Sequence, residues 1–213
     1  MFTNISILNA PLDSLEEYFK KLPIVPTIHL DIMDGKFVPE KTFGSEVSRK
    51  VYEASPGSII DAHLMVENPD DYFLDFKKAG ADYITFHYEV GDIDRRIDEI
   101  HKLGLKAGLS IKPNTKVDVL VPYLHKLDLV LVMSVEPGWG GQKFIPESID
   151  KVKFLKEYKT KNDLYYLISI DGGINLETGK LVKDYCDLAV VGSAITKAPN
   201  YVEAYYKHLQ ELM

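Results

Sequence analysis

Strand-like and helix-like segments alternate along nearly the whole chain, and this alternation constrains the fold more than any other feature. Eight short apolar or β-branched runs read as strands: Asn4–Leu8, Thr27–Met33, Ile59–Met65, Tyr83–His87, Lys106–Ile111, Leu127–Ser134, Leu167–Asp171 and Leu188–Val191. Amphipathic stretches between them predict helices near Asp13–Leu22, Ser45–Ala54, Asn68–Ala79, Asp92–Leu103, Val117–Leu124, Pro146–Lys161 and Leu176–Lys183, with a last one at Tyr201–Leu212. Local signals fit this division. Asp13 with Glu16 three residues later reads as a capping box, Asn68-Pro69 puts proline at a first helical position, and Gly80 and Gly104 follow helical patterns. Strand–helix alternation implies parallel strands joined by right-handed crossovers. Eight such units predict a single (β/α)8 barrel of the TIM type, with residues 1–213 as one catalytic domain. A doubly wound open sheet is the alternative, disfavoured because no Gly-x-Gly-x-x-Gly follows the first strand.

Composition excludes several function classes. The chain has 213 residues, 46% of them hydrophobic, and no Pro/Ser-rich linker divides it. Its one cysteine, Cys186, excludes an intramolecular disulfide and a Cys-rich metal site, and a reducing cytoplasm is the expected setting. The first residues lack the pattern of a signal peptide, and no apolar run approaches membrane-spanning length. With a formal charge of -7 and only Arg49, Arg95 and Arg96 as arginines, the chain lacks the basic stripe of a nucleic-acid binder. An anionic small ligand would have to be held mainly by backbone N–H groups.

In a barrel of this kind function gathers at the C-terminal ends of the strands. Strand two ends His29-Leu30-Asp31-Ile32-Met33, and period-two geometry puts His29, Asp31 and Met33 on one face. Such a pair is a metal clamp, an acid/base pair or simply a satisfied polar pair at a strand end. Strand three repeats the pattern as Asp61, His63 and Met65, and strand seven ends in Asp171. His29, Asp31, His63 and Asp171 thus converge from three strands as an N2O2 set suited to zinc, manganese or ferrous iron. Asp61 sits one layer deeper, as a carboxylate that would orient a ligand rather than bind the ion. His87 reads as a rim hydrogen-bonder, and His101, His125 and His208 as surface residues on helices. Met33, Met65 and Met133 all fall at strand ends and would make an apolar shield around reacting carbons.

Two glycine-bearing turns, Gly172-Gly173 after strand seven and Gly192-Ser193 after strand eight, look phosphate-directed, the second opening a short helix. The loop Glu136–Phe144 carries Gly138, Trp139, Gly140 and Gly141, either a hinged lid or an exposed flexible loop.

Taken together, these motifs resemble the ribulose-phosphate 3-epimerase family over nearly the whole length. The matching segments are Ser6–Asn9, His29–Pro39, Asp61–Val66, Ile84–His87, Gly108–Thr115, Met133–Phe144, Ile170–Ile174 and Gly192–Ile195. The resemblance implies a metal-dependent 3-epimerase interconverting D-ribulose 5-phosphate and D-xylulose 5-phosphate through a metal-stabilised 2,3-ene-diolate. It places the metal ligands on His29, Asp31, His63 and Asp171, and the acid/base pair on Asp31 and Asp171. Substrate contacts fall on Ser6, His63, the Gly138–Gly141 loop with Trp139, Gly172-Gly173 and Gly192-Ser193. One divalent ion is implied, Zn2+ first and Fe2+, Mn2+ or Co2+ as alternatives, with no organic cofactor. The expected partner is a sugar phosphate, with no nucleic acid or membrane. A homo-oligomer is left open by apolar residues such as Tyr205 and Tyr206 on outer helices. Lys36, Glu40, Pro11, Asn114 and Trp139 depart from common family residues and bear on lid closure and substrate length. Three other readings remain: an epimerase of a ketohexose 6-phosphate such as D-allulose 6-phosphate, a lyase on the same barrel, and a silent phosphate-binding barrel. The lyase is disfavoured because Asp31-Ile32-Met33-Asp34 lacks the lysine of an Asp-x-Lys-x-x-Asp segment.

Overall fold

The computed structural model describes residues 1–22 and 24–212. Strands β1 (Phe2–Ser6), β2 (Thr27–Met33), β3 (Ile59–Met65), β4 (Tyr83–His87), β5 (Lys106–Ile111), β6 (Leu129–Met133), β7 (Leu167–Asp171) and β8 (Leu188–Val191) close into an all-parallel barrel in sequential order. Helices α1 (Leu15–Lys20), α2 (Ser45–Ala54), α3 (Asp70–Lys78), α4 (Ile93–Lys102), α5 (Ser148–Lys161), α6 (Leu176–Val182), α7 (Ser193–Thr196) and α8 (Tyr201–Leu212) lie between and after the strands. The chain therefore forms the expected (β/α)8 barrel. Among the described residues, no helix is long and apolar enough to cross a membrane.

Several elements differ from the sequence expectation. Val117–Leu124 gives only a short 3-10 turn over Val117–Leu120 before irregular turns. Pro122 cannot donate the backbone bond an α-helix needs there, and Val117, Val119 and Val121 resist helical rotamers. The capping box expected at Asp13 and Glu16 is absent. A 3-10 turn precedes α1, Ser14 caps it without a side-chain bond, and Glu16 pairs with Lys20 at 2.5 Å instead. A real capping box forms at α6, where Asn175 accepts from the backbone of Glu177 and Thr178, and Thr178 bonds back. β1 lies two residues earlier than expected because Phe2 pairs with Leu188 at the start of β8, its amide donating to the carbonyl of Asp187. α3 begins at Asp70, with Pro69 just outside it.

Outward strand residues such as Ile28, Leu30, Ile60, Ile84, Leu109, Val130 and Ile168 pack under the helices in the main core. The lumen is divided. Leu129, Leu131, Met133, Leu188 and Val190 fill the side near β6 and β8 with an apolar cluster. The side near β2–β4 carries buried polar groups, including His29, Asp31, Asp61, His63, Thr85 and His87. Gly108 on β5 makes room for that polar half, since a Cβ there would sit 2.2 Å from Thr85 Oγ1 and 2.9 Å from its Cβ. Gly108→Ala is expected to cost about 1–3 kcal/mol of stability through overpacking. Urea denaturation measures this, and an unchanged midpoint counts against the close approach.

Candidate active site

β2 and β3 pair with His29 opposite Asp61, Asp31 opposite His63 and Met33 opposite Met65. Alternate residues share a face, so all six side chains turn into the lumen. His29 Nδ1 lies 2.9 Å from Asp61 Oδ2, while its Nε2 lies 3.3 Å from Asp31 Oδ1 and 3.9 Å from Asp171 Oδ2. His63 Nδ1 lies 3.2 Å from Asp31 Oδ1 and 3.3 Å from His29 Nε2. Donor atoms of His29, Asp31, His63 and Asp171 all fall within 4.8 Å of one another. Ligand bonds of ~2.0–2.2 Å put tetrahedral neighbours about 3.3–3.6 Å apart, close to the 3.2–3.3 Å spacing among His29, Asp31 and His63, with Asp171 Oδ2 farther off at 3.9 Å from His29 Nε2. The group could hold a divalent ion with little rearrangement. Asp61 stays outside it, with Oδ1 accepting the Thr85 hydroxyl at 2.7 Å.

Other bonds hold the carboxylates in place. Ser6 Oγ donates to Asp31 Oδ2 at 2.8 Å. Thr42 Oγ1 donates to the Asp31 carbonyl at 2.7 Å and accepts from the Met33 amide at 2.9 Å, pinning the end of β2. Ser134 Oγ reaches the carbonyls of Asp171 and Gly172 at 2.8 and 2.7 Å, which fixes the end of β7. Ser134 is legible in the sequence only as the end of a strand and Thr42 not at all, because their contacts depend on loop folding.

The electrostatics separate the two catalytic candidates. Burial alone would raise the Asp31 carboxyl, but His29 and His63 beside it hold it far below the usual carboxylate range. Asp171 is pushed up to about 7, first by burial and then by the charge of Asp31. His29 is raised despite its burial, because Asp31 and Asp61 flank it. Burial lowers His63. The two carboxyls are thus pushed in opposite directions, Asp31 down and Asp171 up, the kind of split that paired acid/base chemistry uses.

Above this group opens a cavity of about 340 Å3. Ser6, Asp31, Met33, Met65, Met133, Asp171, Gly138, Trp139, Gly140, Gly141, Gly172, Gly173, Gly192 and Ser193 all line it. His29 and His63 are fully buried beneath rather than on its wall. Trp139 remains 53% exposed at the mouth. Gln142, which lies in the Glu136–Phe144 loop but had no expected role, ties that loop together by donating to the Glu136 and Trp139 carbonyls at 2.6 and 2.9 Å. Gly173 lets the β7 turn pass close to the Glu136–Phe144 loop, since a Cβ there would meet the Phe144 nitrogen at 2.6 Å. His87 is buried against His63. Two surface expectations fail: His208 and Tyr205 are buried on the inward face of α8, which is wider than the apolar pattern indicates. His101 and His125 are exposed, though His125 lies in a turn.

A profile of the ribulose-phosphate 3 epimerase family matches residues 3–196. The chain belongs to that family. Its similarity to the ribulose-phosphate 3-epimerase of Bacillus subtilis is 42% identity over 197 residues, covering 89% of both chains. To that of Synechocystis sp. it is 38% over 205 residues, covering 93% of this chain and 89% of the other. The chain is accordingly an epimerase of the ribulose-phosphate 3-epimerase family. Among solved structures, 3-hexulose-6-phosphate synthase from Salmonella typhimurium aligns with a TM-score of 0.69 at 19% identity, over 100% of this chain and 98% of that one. Orotidine 5'-phosphate decarboxylase from Pyrococcus horikoshii OT3 aligns at 0.69 and 17%, over 99% of each chain. At such identities the likeness shows the fold alone.

The raised Asp171 carboxyl has a consequence for the metal-free epimerase. Its ordinary value of 3.8 applies when unfolded and about 7 when folded. Between these values the folded state binds more protons, so stability falls as pH rises from about 4 to about 7. Urea midpoints of chelator-treated protein at about pH 5 and about pH 8 should fall more for the wild type than for Asp171→Asn. Equal falls would refute the raised carboxyl.

Proposed function

We propose that this chain is a metal-dependent 3-epimerase interconverting D-ribulose 5-phosphate and D-xylulose 5-phosphate, with Asp31 and Asp171 as its acid/base pair. The observation that carries the reading is the convergence of Asp31 and Asp171 on one cavity, with His29 and His63 directly beneath it. Epimerisation beside a ketone removes a proton from one face of C3 and returns one to the other. Asp31 on β2 and Asp171 on β7 come from different sides of the barrel and can serve opposite faces of a flat ene-diolate. Ser6 holds Asp31 in one orientation through its 2.8 Å bond. The direction of reaction decides which carboxyl begins as base.

His29, Asp31, His63 and Asp171 would hold the ion, with Zn2+ preferred and Fe2+, Mn2+ or Co2+ compatible with the same donors. When bound, that ion supplies positive charge against the oxyanion that develops at the substrate carbonyl. Met33, Met65 and Met133 keep water from the reacting carbons without offering a competing proton. The backbone amides at Gly172-Gly173 and Gly192-Ser193 would receive the phosphate, and the Trp139 loop would cover the sugar.

A coupled assay on D-ribulose 5-phosphate with metal analysis of the same sample tests the reading. Turnover should track bound metal, and a metal-replete chain without turnover would sink it. Faster turnover of D-allulose 6-phosphate would move the assignment to a hexulose. Positioned acid/base catalysis contributes ~10²–10⁴-fold, so Asp31→Asn and Asp171→Asn should each lower kcat by at least that much. Reaction in deuterated water should leave deuterium at C3 of the product, read by mass spectrometry, and its absence would remove proton exchange from the scheme.

A further inference from the structure

We infer that His87 and Glu89 are positioning residues that keep the proton of His63 on Nε2 and so leave its Nδ1 lone pair free for the metal. The inference rests on the metal-centre reading above. A neutral imidazole has one N–H and one lone pair, so whatever its outer nitrogen must do decides what its inner nitrogen can do. His63 turns Nδ1 toward His29 and Asp31, at 3.3 and 3.2 Å, and turns Nε2 outward to His87 Nε2 at 2.9 Å. Of two imidazole nitrogens this close, one must carry the hydrogen and the other must not.

The direction is set one step further out. His87 Nδ1 lies 3.2 Å from Glu89 Oε2, and a carboxylate only accepts. His87 therefore carries its hydrogen on Nδ1 and presents a bare Nε2, so His63 must be the donor. The carboxylate is itself anchored: its Oε1 accepts from the Lys112 amide at 2.9 Å and from the Thr115 hydroxyl. Lys151 Nζ clamps the loop that supplies both donors by bonding the carbonyls of Lys112, Pro113 and Thr115 at 3.1, 2.6 and 2.7 Å. On the other histidine, Asp61 performs the same service in one step, accepting from His29 Nδ1 and leaving Nε2 to the metal.

This arrangement makes an unusual demand of Glu89→Gln. The two donors on Oε1 would hold the amide oxygen in that place and turn the NH2 toward His87 Nδ1. His87 would then have to accept there and move its hydrogen to Nε2. His63 would in turn accept at Nε2 and carry its hydrogen on Nδ1, pointing into the metal centre. Glu89→Ala imposes no direction and lets His87 choose. The near-isosteric change should therefore do more harm than the truncation, the reverse of what a packing role predicts.

The test is Co2+ affinity of chelator-stripped protein, measured by competition with a chelating dye, with the cobalt visible spectrum as a second readout. Glu89→Gln should bind Co2+ on the order of 10–100-fold more weakly than wild type, with Glu89→Ala between them. Circular dichroism and the melting temperature of the stripped variants establish folding. If Glu89→Gln does not fold, His87→Leu carries the test. Loss of the acceptor for His63 Nε2–H should weaken Co2+ binding by about tenfold, and unchanged binding overturns the inference. Tight wild-type binding with Glu89→Gln unchanged, or with Glu89→Ala the weaker of the two, overturns the inference alone. A wild-type chain that does not bind Co2+ overturns the metal reading and this inference together.

Discussion

Burying ionisable groups in a barrel lumen is affordable only when each one is matched, and that requirement organises this molecule. A buried charge without a partner costs several kcal/mol or more, so carboxylates and imidazoles must arrive together and in contact. Asp61, His29, Asp31, His63, His87 and Glu89 form a continuous line of such contacts across three adjacent strands and the turn after β4. The surrounding features serve that line. Thr85 satisfies the second oxygen of Asp61, Gly108 gives Thr85 its space, and Ser6 satisfies the far oxygen of Asp31. Asp171, on the other side of the lumen, has no imidazole within hydrogen-bond distance, and burial and the charge of Asp31 push its carboxyl up.

Much of this could be read from the chain because a strand encodes its facing directly. The period of two in His29-x-Asp31-x-Met33 and Asp61-x-His63-x-Met65 states which side chains share the lumen. In-register pairing of β2 with β3 then brings the two sets together. What stayed hidden lies off the strands. Thr42, Ser134 and Lys151 act through backbone carbonyls that only the folded loops bring near. Glu89 sits in a short turn where nothing in the sequence separates it from an ordinary surface glutamate. The failed helix at Val117–Leu124 shows the converse, since its apolar spacing was real but Pro122 and three valines overruled it. Tyr205 and His208 were misplaced because α8 buries an amphipathic face that includes polar-tipped residues.

The division of the lumen also bears on how freely the barrel can drift. Near β6 and β8 the interior is held by dispersion and burial among leucine, valine and methionine side chains, and such a cluster accepts many rearrangements of similar volume. Near β2–β4 each residue is committed to a direction of hydrogen bonding, so a change at one position strands its neighbour. Mutational tolerance should therefore run unevenly around the circumference, permissive along one arc and strict along the other, although every strand is buried to a similar depth.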